Sequence, residues 1–185
     1  MKVKEVVLAA AKLLDIDKEV EEYLAGENNA GKKKAEGLIS CFNLVENALA
    51  LDYLPLTAQE RLAVTDKKVA YAQFSKHLSR ILSVTDEQGN RLPFQLFPTE
   101  ILLAAEGSSV VVEYAYLPQE KGAEEESDYQ SRLSVGLMAY GVAAEYCATQ
   151  GLYAEAAFWD KKYKESLAKI YQVKGGGRIR SRRWV

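Results

Sequence analysis

The residues best suited to chemistry close the chain: Lys174, glycines at 175–177, then Arg178, Ile179, Arg180, Ser181, Arg182, Arg183, Trp184 and Val185. Five of the 24 basic residues fall in these twelve positions, and the remaining 19 face 26 acidic ones. The chemistry on offer is recognition. Guanidinium groups bind carboxylates and phosphates through paired hydrogen bonds, and Trp184 adds a large apolar anchor. The glycines stop a helix and leave the run free to orient. Residues 174–185 therefore read as a flexible basic arm. Arg178, Ile179, Arg180, Arg182, Arg183 and Trp184 are its expected partner-binding residues, aimed at an acidic protein surface or a phosphate backbone. Catalysis needs groups in fixed geometry, which such an arm does not supply.

Elsewhere the reactive side chains are scattered. His77 is the one histidine, and a zinc site would need thiolate or carboxylate partners beside it. Cys41 and Cys147 both fall in apolar helical patterns, so reduced, buried thiols are expected rather than a disulfide. Gly175, Gly176 and Gly177 follow a helix and precede no second one, so they form a hinge and not a nucleotide cradle. Glu124, Glu125 and Glu126 lack the alternating oxygen ligands of a calcium loop and read as a solvated linker. Nothing pairs a serine or tyrosine with a base. The expectation is a non-enzyme with no catalytic residues, no cofactor and no metal.

The elements that carry these residues are legible from periodicity. Val3, Val6, Val7, Ala10, Leu13 and Leu14 recur at helical spacing. Asp17 is the expected cap of a short second helix through Leu24, and residues 26–31 form a loop. A third helix runs from Lys32 to about Asp52, with Leu38, Phe42, Val45 and Leu49 along one face, and Pro55 ends it. The middle changes character. Strands are expected at 69–74, 81–85, 91–97, 101–103 and 110–117, the last rich in β-branched and aromatic residues. The 86–90 turn predicts a hairpin of 81–85 with 91–97, and Pro93 confines its strand to an edge. A helix follows from about Tyr129 to Gln150, capped by Ser127 or Asp128, with small residues such as Gly136 and Gly141 for close packing and Gly151 as its stop. A last helix, about 152–173, carries the stripe Ala156, Trp159, Tyr163, Leu167 and Ile170, with Trp159 and Tyr163 as core anchors.

The predicted fold is α+β: mainly helical, with a small antiparallel β subdomain inserted between N-terminal and C-terminal helices. Residues 1–173 read as one domain, with helices over 1–54, the β subdomain over about 67–118 and helices over about 129–173. No apolar run reaches the length of a membrane span, and no signal peptide is read at the start. The default location is a reducing cytoplasm. Eleven tyrosines suit both a core that reaches the surface and a wet interface.

The order of parts, with Cys41-Phe42-Asn43-Leu44-Val45-Glu46-Asn47-Ala48-Leu49-Ala50 and Tyr140-Gly141-Val142-Ala143-Ala144-Glu145-Tyr146-Cys147, resembles small structural proteins of prophages in Gram-positive bacteria. The segments Trp159-Asp160-Lys161-Lys162-Tyr163 and Arg178-Ile179-Arg180-Ser181-Arg182-Arg183-Trp184 are similar to the same set. More distantly, the plan resembles the head–tail connector, or adaptor, proteins of tailed phages. The resemblance implies a non-catalytic structural protein that forms a ring, commonly of twelve copies, with or beneath the portal around the DNA channel. The implied partners are copies of itself, the portal protein and other tail-connector proteins, with DNA only as passing cargo and no membrane. The implied location is the bacterial host cytoplasm during assembly, then the head–tail junction of the virion. The alternative from the residues alone is a nucleic-acid-binding module acting through the basic tail, whose affinity would fall steeply with salt.

Overall fold

Val3, Val6, Val7, Ala10 and Ala11 are all buried along one face of helix α1 (Val3–Leu13). In the computed structural model, which describes residues 1–104 and 106–174, this helix opens an α+β fold whose N- and C-terminal helices flank an antiparallel β region. Asp15 turns the chain with a positive φ of 56°, a conformation that Asp tolerates better than most residues. Helix α2 (Asp17–Leu24) begins at Asp17 itself, with Ile16 in the cap position and no side-chain cap. Asp17 is thus the first helical residue and not the expected cap. Its carboxylate still lies where the helix dipole favours negative charge.

Helix α3 (Lys32–Ala48) runs directly into a π-helical turn, Leu49–Tyr53. The Leu54 amide reaches back five residues to the Leu49 carbonyl, 2.7 Å away, and Pro55 follows. The chain separates into two compact units: residues 1–45 with 121 onward, and residues 46–120.

Among the described residues, the 46–120 unit holds six strands in two three-stranded antiparallel sheets. The first has the order β1 (Leu56–Ala63), β6 (Ser109–Leu117), β3 (His77–Thr85); the second has β2 (Lys68–Ala70), β5 (Glu100–Leu103), β4 (Phe94–Leu96). Leu62, Val69, Val84, Ile101, Leu103, Val110 and Val112 come from both sheets and form one buried cluster. Central strand β6 alternates as expected, with Val110, Val112 and Tyr114 buried.

Three features of this unit differ from the sequence reading. Strand β1 lies ahead of residue 67, where the β region was expected to begin. Residues 71–73 form a 3-10 turn after β2 in place of a longer strand. The expected hairpin is reduced to a stitch: Thr85 and Arg91 form an isolated bridge, and the Leu92 amide donates to the Val84 carbonyl at 2.9 Å. Beyond it β3 pairs with β6 while β4 pairs with β5, so the 86–90 turn crosses between sheets. Pro93 immediately precedes β4, an edge strand, as its missing donor requires.

In the helical unit, helix α4 (Val135–Thr149) is buried on several sides, through Leu137, Met138, Ala139, Gly141, Val142, Ala143, Ala144 and Cys147. It packs against α1 and against α5 (Tyr153–Lys174). It begins later than expected. Ser134 is its cap, accepting from the Leu137 amide at 3.3 Å. Ser127, proposed for that role, instead accepts from the Tyr129 amide at 3.1 Å and turns the chain so that the Tyr129 ring is fully buried.

The acidic linker is not merely solvated. Glu124 pairs with Lys2 at 3.2 Å and Lys4 at 3.6 Å. The Val3 amide donates to the Glu125 carbonyl, the Lys4 amide to the Ala123 carbonyl, and the Ser127 amide to the Met1 carbonyl. The ion pairs are exposed and add little. The backbone bonds are what fasten residues 123–127 to the start of α1.

Candidate interaction surface

The α4–α5 hairpin is built from its turn upward. Gly151 has φ of 77°. Its amide donates to the Ala148 carbonyl at 3.1 Å, and the Leu152 amide donates to the Cys147 carbonyl at 2.9 Å. This is a Schellman ending, which the left-handed glycine makes possible. It reverses the chain within a few residues and lays α5 along α4. Gly141 lets the helices meet: a Cβ there would stand 3.0 Å from both the Tyr163 ring and Val45.

Along α5 the expected stripe holds in part. Tyr163 and Leu167 are buried, while Ala156, Trp159 and Ile170 are half-buried. Trp159 is therefore not the core anchor expected of it. Its indole stacks on Tyr140, with centroids 5.8 Å apart and planes 14° apart, and meets Phe158 edge-on at 4.9 Å. Phe158 is 52% exposed, and Lys162 Nζ lies 5.7 Å from its ring centre. Leu152 and Tyr153, at the start of the hairpin's second arm, are exposed as well. Tyr140, Trp159 and Phe158 thus form a continuous ring cluster whose Phe158 end is open to solvent. Aromatic groups with a wet edge match the composition of protein interfaces. Helical periodicity placed Trp159 on the correct stripe, but it said nothing of Phe158, one step off that stripe.

The arm residues Arg178, Ile179, Arg180, Arg182, Arg183 and Trp184 lie outside the described residues, as do the glycines before them. The other sequence candidates are placed. Cys41 and Cys147 are free and buried. Burial, then the charge of Glu145, then Cys147, pushes the Cys41 thiol up to about 11. Burial and the Glu155 charge raise Cys147 too. Both thiols are therefore poor nucleophiles at neutral pH. His77 begins β3 and is exposed. Among the described residues, no group of three or more His, Cys, Asp or Glu side chains is gathered to hold a metal ion.

One polar cluster was not foreseen. Tyr114 of β6 is fully buried and donates its hydroxyl to Glu60 of β1. Glu60 also accepts from the Ser75 amide at 3.1 Å and from the Ser75 hydroxyl. Burial raises Glu60, but the Ser75 and Tyr114 hydrogen bonds outweigh it and hold the carboxyl below its usual value. Burial first, then the Glu60 bond, pushes Tyr114 up to about 12. Phe74 packs edge-on against the Tyr114 ring at 4.8 Å. The cluster fastens the 71–76 segment to the sheet, so its role is structural.

No protein-family model matches the chain, and no curated protein matches it. Among the described residues, no helix is long and apolar enough to cross a membrane.

Proposed function

We propose that this is a non-catalytic structural protein of a tailed-phage head–tail connector, joining its neighbours through the C-terminal hairpin and the basic residues beyond it. The observation that carries the reading is the Tyr140–Trp159–Phe158 cluster, which joins α4 to α5 and opens to solvent at Phe158, on the helix that precedes Arg178–Trp184 in the sequence. Apolar rings supply desolvated contact area, and arginines supply directional pairing with carboxylates. Both are used in association. The α+β plan, helices flanking a β region, agrees with the resemblance drawn from the sequence. A ring is the assembly such side-to-side contacts build when their rotation closes.

The test is assembly. The full chain, a Phe158→Glu variant and a chain lacking residues 175–185 are compared by sedimentation velocity and electron microscopy, with and without the portal protein of the same phage genome. The expected outcome is a ring on the portal for the full chain and its loss in both variants, with unchanged circular dichroism. Normal assembly by both variants would overturn the reading. Intact assembly with loss of salt-sensitive DNA binding on truncation would favour the nucleic-acid alternative.

A further inference from the structure

Strand β3 is an edge of its sheet and β4 is an edge of the other. The two sheets are stitched together at the Thr85–Arg91 bridge and the Leu92–Val84 bond. At the other end of β3 they are not. There a groove of about 540 Å³ opens between the strands, lined by Tyr71, Leu78, Ile81 and Leu96 on its apolar side and by Lys76, His77 and Arg80 on its polar side. The outer backbone edge of residues 77–83 receives no hydrogen bond from any other described segment. Leu96, beside it, is 59% exposed.

Two bulges shape this edge. The pairing with β6 slips between Leu78 and Arg80 and again between Ile81 and Ser83. Leu78, Ile81 and Val84 therefore sit opposite Tyr116, Tyr114 and Val112: three residues of β3 for every two of β6. Bulges re-aim side chains and limit how far a strand can be extended by another. The charges act in the same direction. Lys76 lies 4.0 Å from the centre of the Tyr116 ring, and neither His77 nor Arg80 makes an ion pair among the described residues. A second β3 edge would bring like charges together, and the basic 178–183 run would be repelled too.

We propose that this groove is a docking site for a short, extended, acidic segment of another protein chain, which adds as a strand to β3. Its backbone would pair with the free edge, apolar side chains would enter between Leu78, Ile81 and Leu96, and its carboxylates would meet Lys76, His77 and Arg80. Edge addition takes its strength from main-chain bonds and its selectivity from alternate side chains. Exposed aliphatic groups beside a free strand edge match a peptide better than a phosphate backbone, which is polar and has no complementary ladder. The site lies wholly within the 46–120 unit and is independent of the connector reading.

The probe is an eight-residue peptide of alternating valine and glutamate, titrated to millimolar concentration into the ¹⁵N-labelled full chain. An alternating valine–lysine peptide and an eight-nucleotide oligothymidylate serve as comparisons. The expected result is amide shifts and slowed hydrogen exchange confined to residues 76–83 and 94–97, seen with the acidic peptide alone. The His77→Glu/Arg80→Glu double variant should weaken binding by about tenfold or more, since like charges across an interface are strongly unfavourable. Arg80→Ala, which removes charge without adding any, should weaken it less. No shifts with the acidic peptide, equal response to the lysine peptide, equal binding by the charge-reversed variant, or response to the oligonucleotide alone would each overturn the proposal.

Discussion

A single methyl group at position 31 has no room. A Cβ on Gly31 would lie 1.9 Å from the backbone oxygen of Glu19, and backbone cannot step aside as a side-chain tip can. Gly31→Ala is expected to cost about 3 kcal/mol, read as a fall in the urea midpoint with an unchanged slope. The aromatic residues of α5 divide by burial. Tyr163→Ala empties a packed site and should cost about 3–5 kcal/mol, whereas half-buried Trp159→Ala should cost about 1–2 kcal/mol; chemical denaturation of the two variants side by side checks the order. Tyr114 gives a pH signature. Its folded pKa, about 12, is raised above the unfolded value of about 10. The stability it contributes is fully present below the unfolded value and is lost as pH rises through the folded one. Ultraviolet titration of the native protein should place Tyr114 among the tyrosines that ionise after the exposed ones, and Glu60→Gln should bring it down. Glu60 runs the other way. Its depressed carboxyl contributes above its unfolded pKa, and that contribution is lost as pH falls through the folded value.

At the scale of elements, what the chain announced and what it hid can be traced to particular residues. Strand β6 was plain because Val110, Val112 and Tyr114 alternate and are apolar. Strand β1 was hidden because its inward positions are Leu56, Ala58, Glu60 and Leu62: the period of two is there, but a small residue and an acid break its hydrophobic signal. The Ser75 amide and hydroxyl and the Tyr114 hydroxyl, far off in sequence, are what explain an inward-facing Glu60. The first half of β3 was hidden for another reason. Its bulges convert a two-residue period into the spacing of three seen at Leu78, Ile81 and Val84. The start of α4 was displaced because Ser127 and Ser134 both look like caps. Ser134→Ala should cost about 1 kcal/mol by freeing a helix N–H, and Asp128→Ala, outside the helix, should leave its end unchanged. Amide exchange of residues 135–138 distinguishes the two.

For the whole molecule, the division into two units carries a prediction of its own. Ile101 is fully buried in the cluster shared by the two sheets, and Ile101→Ala should cost about 2–5 kcal/mol locally. Native-state hydrogen exchange should register that loss in residues 56–117 more than in 135–167. Equal loss in both would mean that the units open together. Composition and periodicity alone determined the α+β class, the helices at both ends, the strong strand at 110–117, the burial of both cysteines and the glycine stop at 151, because each is set by near neighbours in sequence. The pairing order of the strands, the inward turn of Glu60, the fastening of residues 123–127 to α1 and the open groove beside β3 were decided only by tertiary structure. Each depends on groups tens of residues apart meeting across a sheet or a helix pair, and no local pattern records that distance.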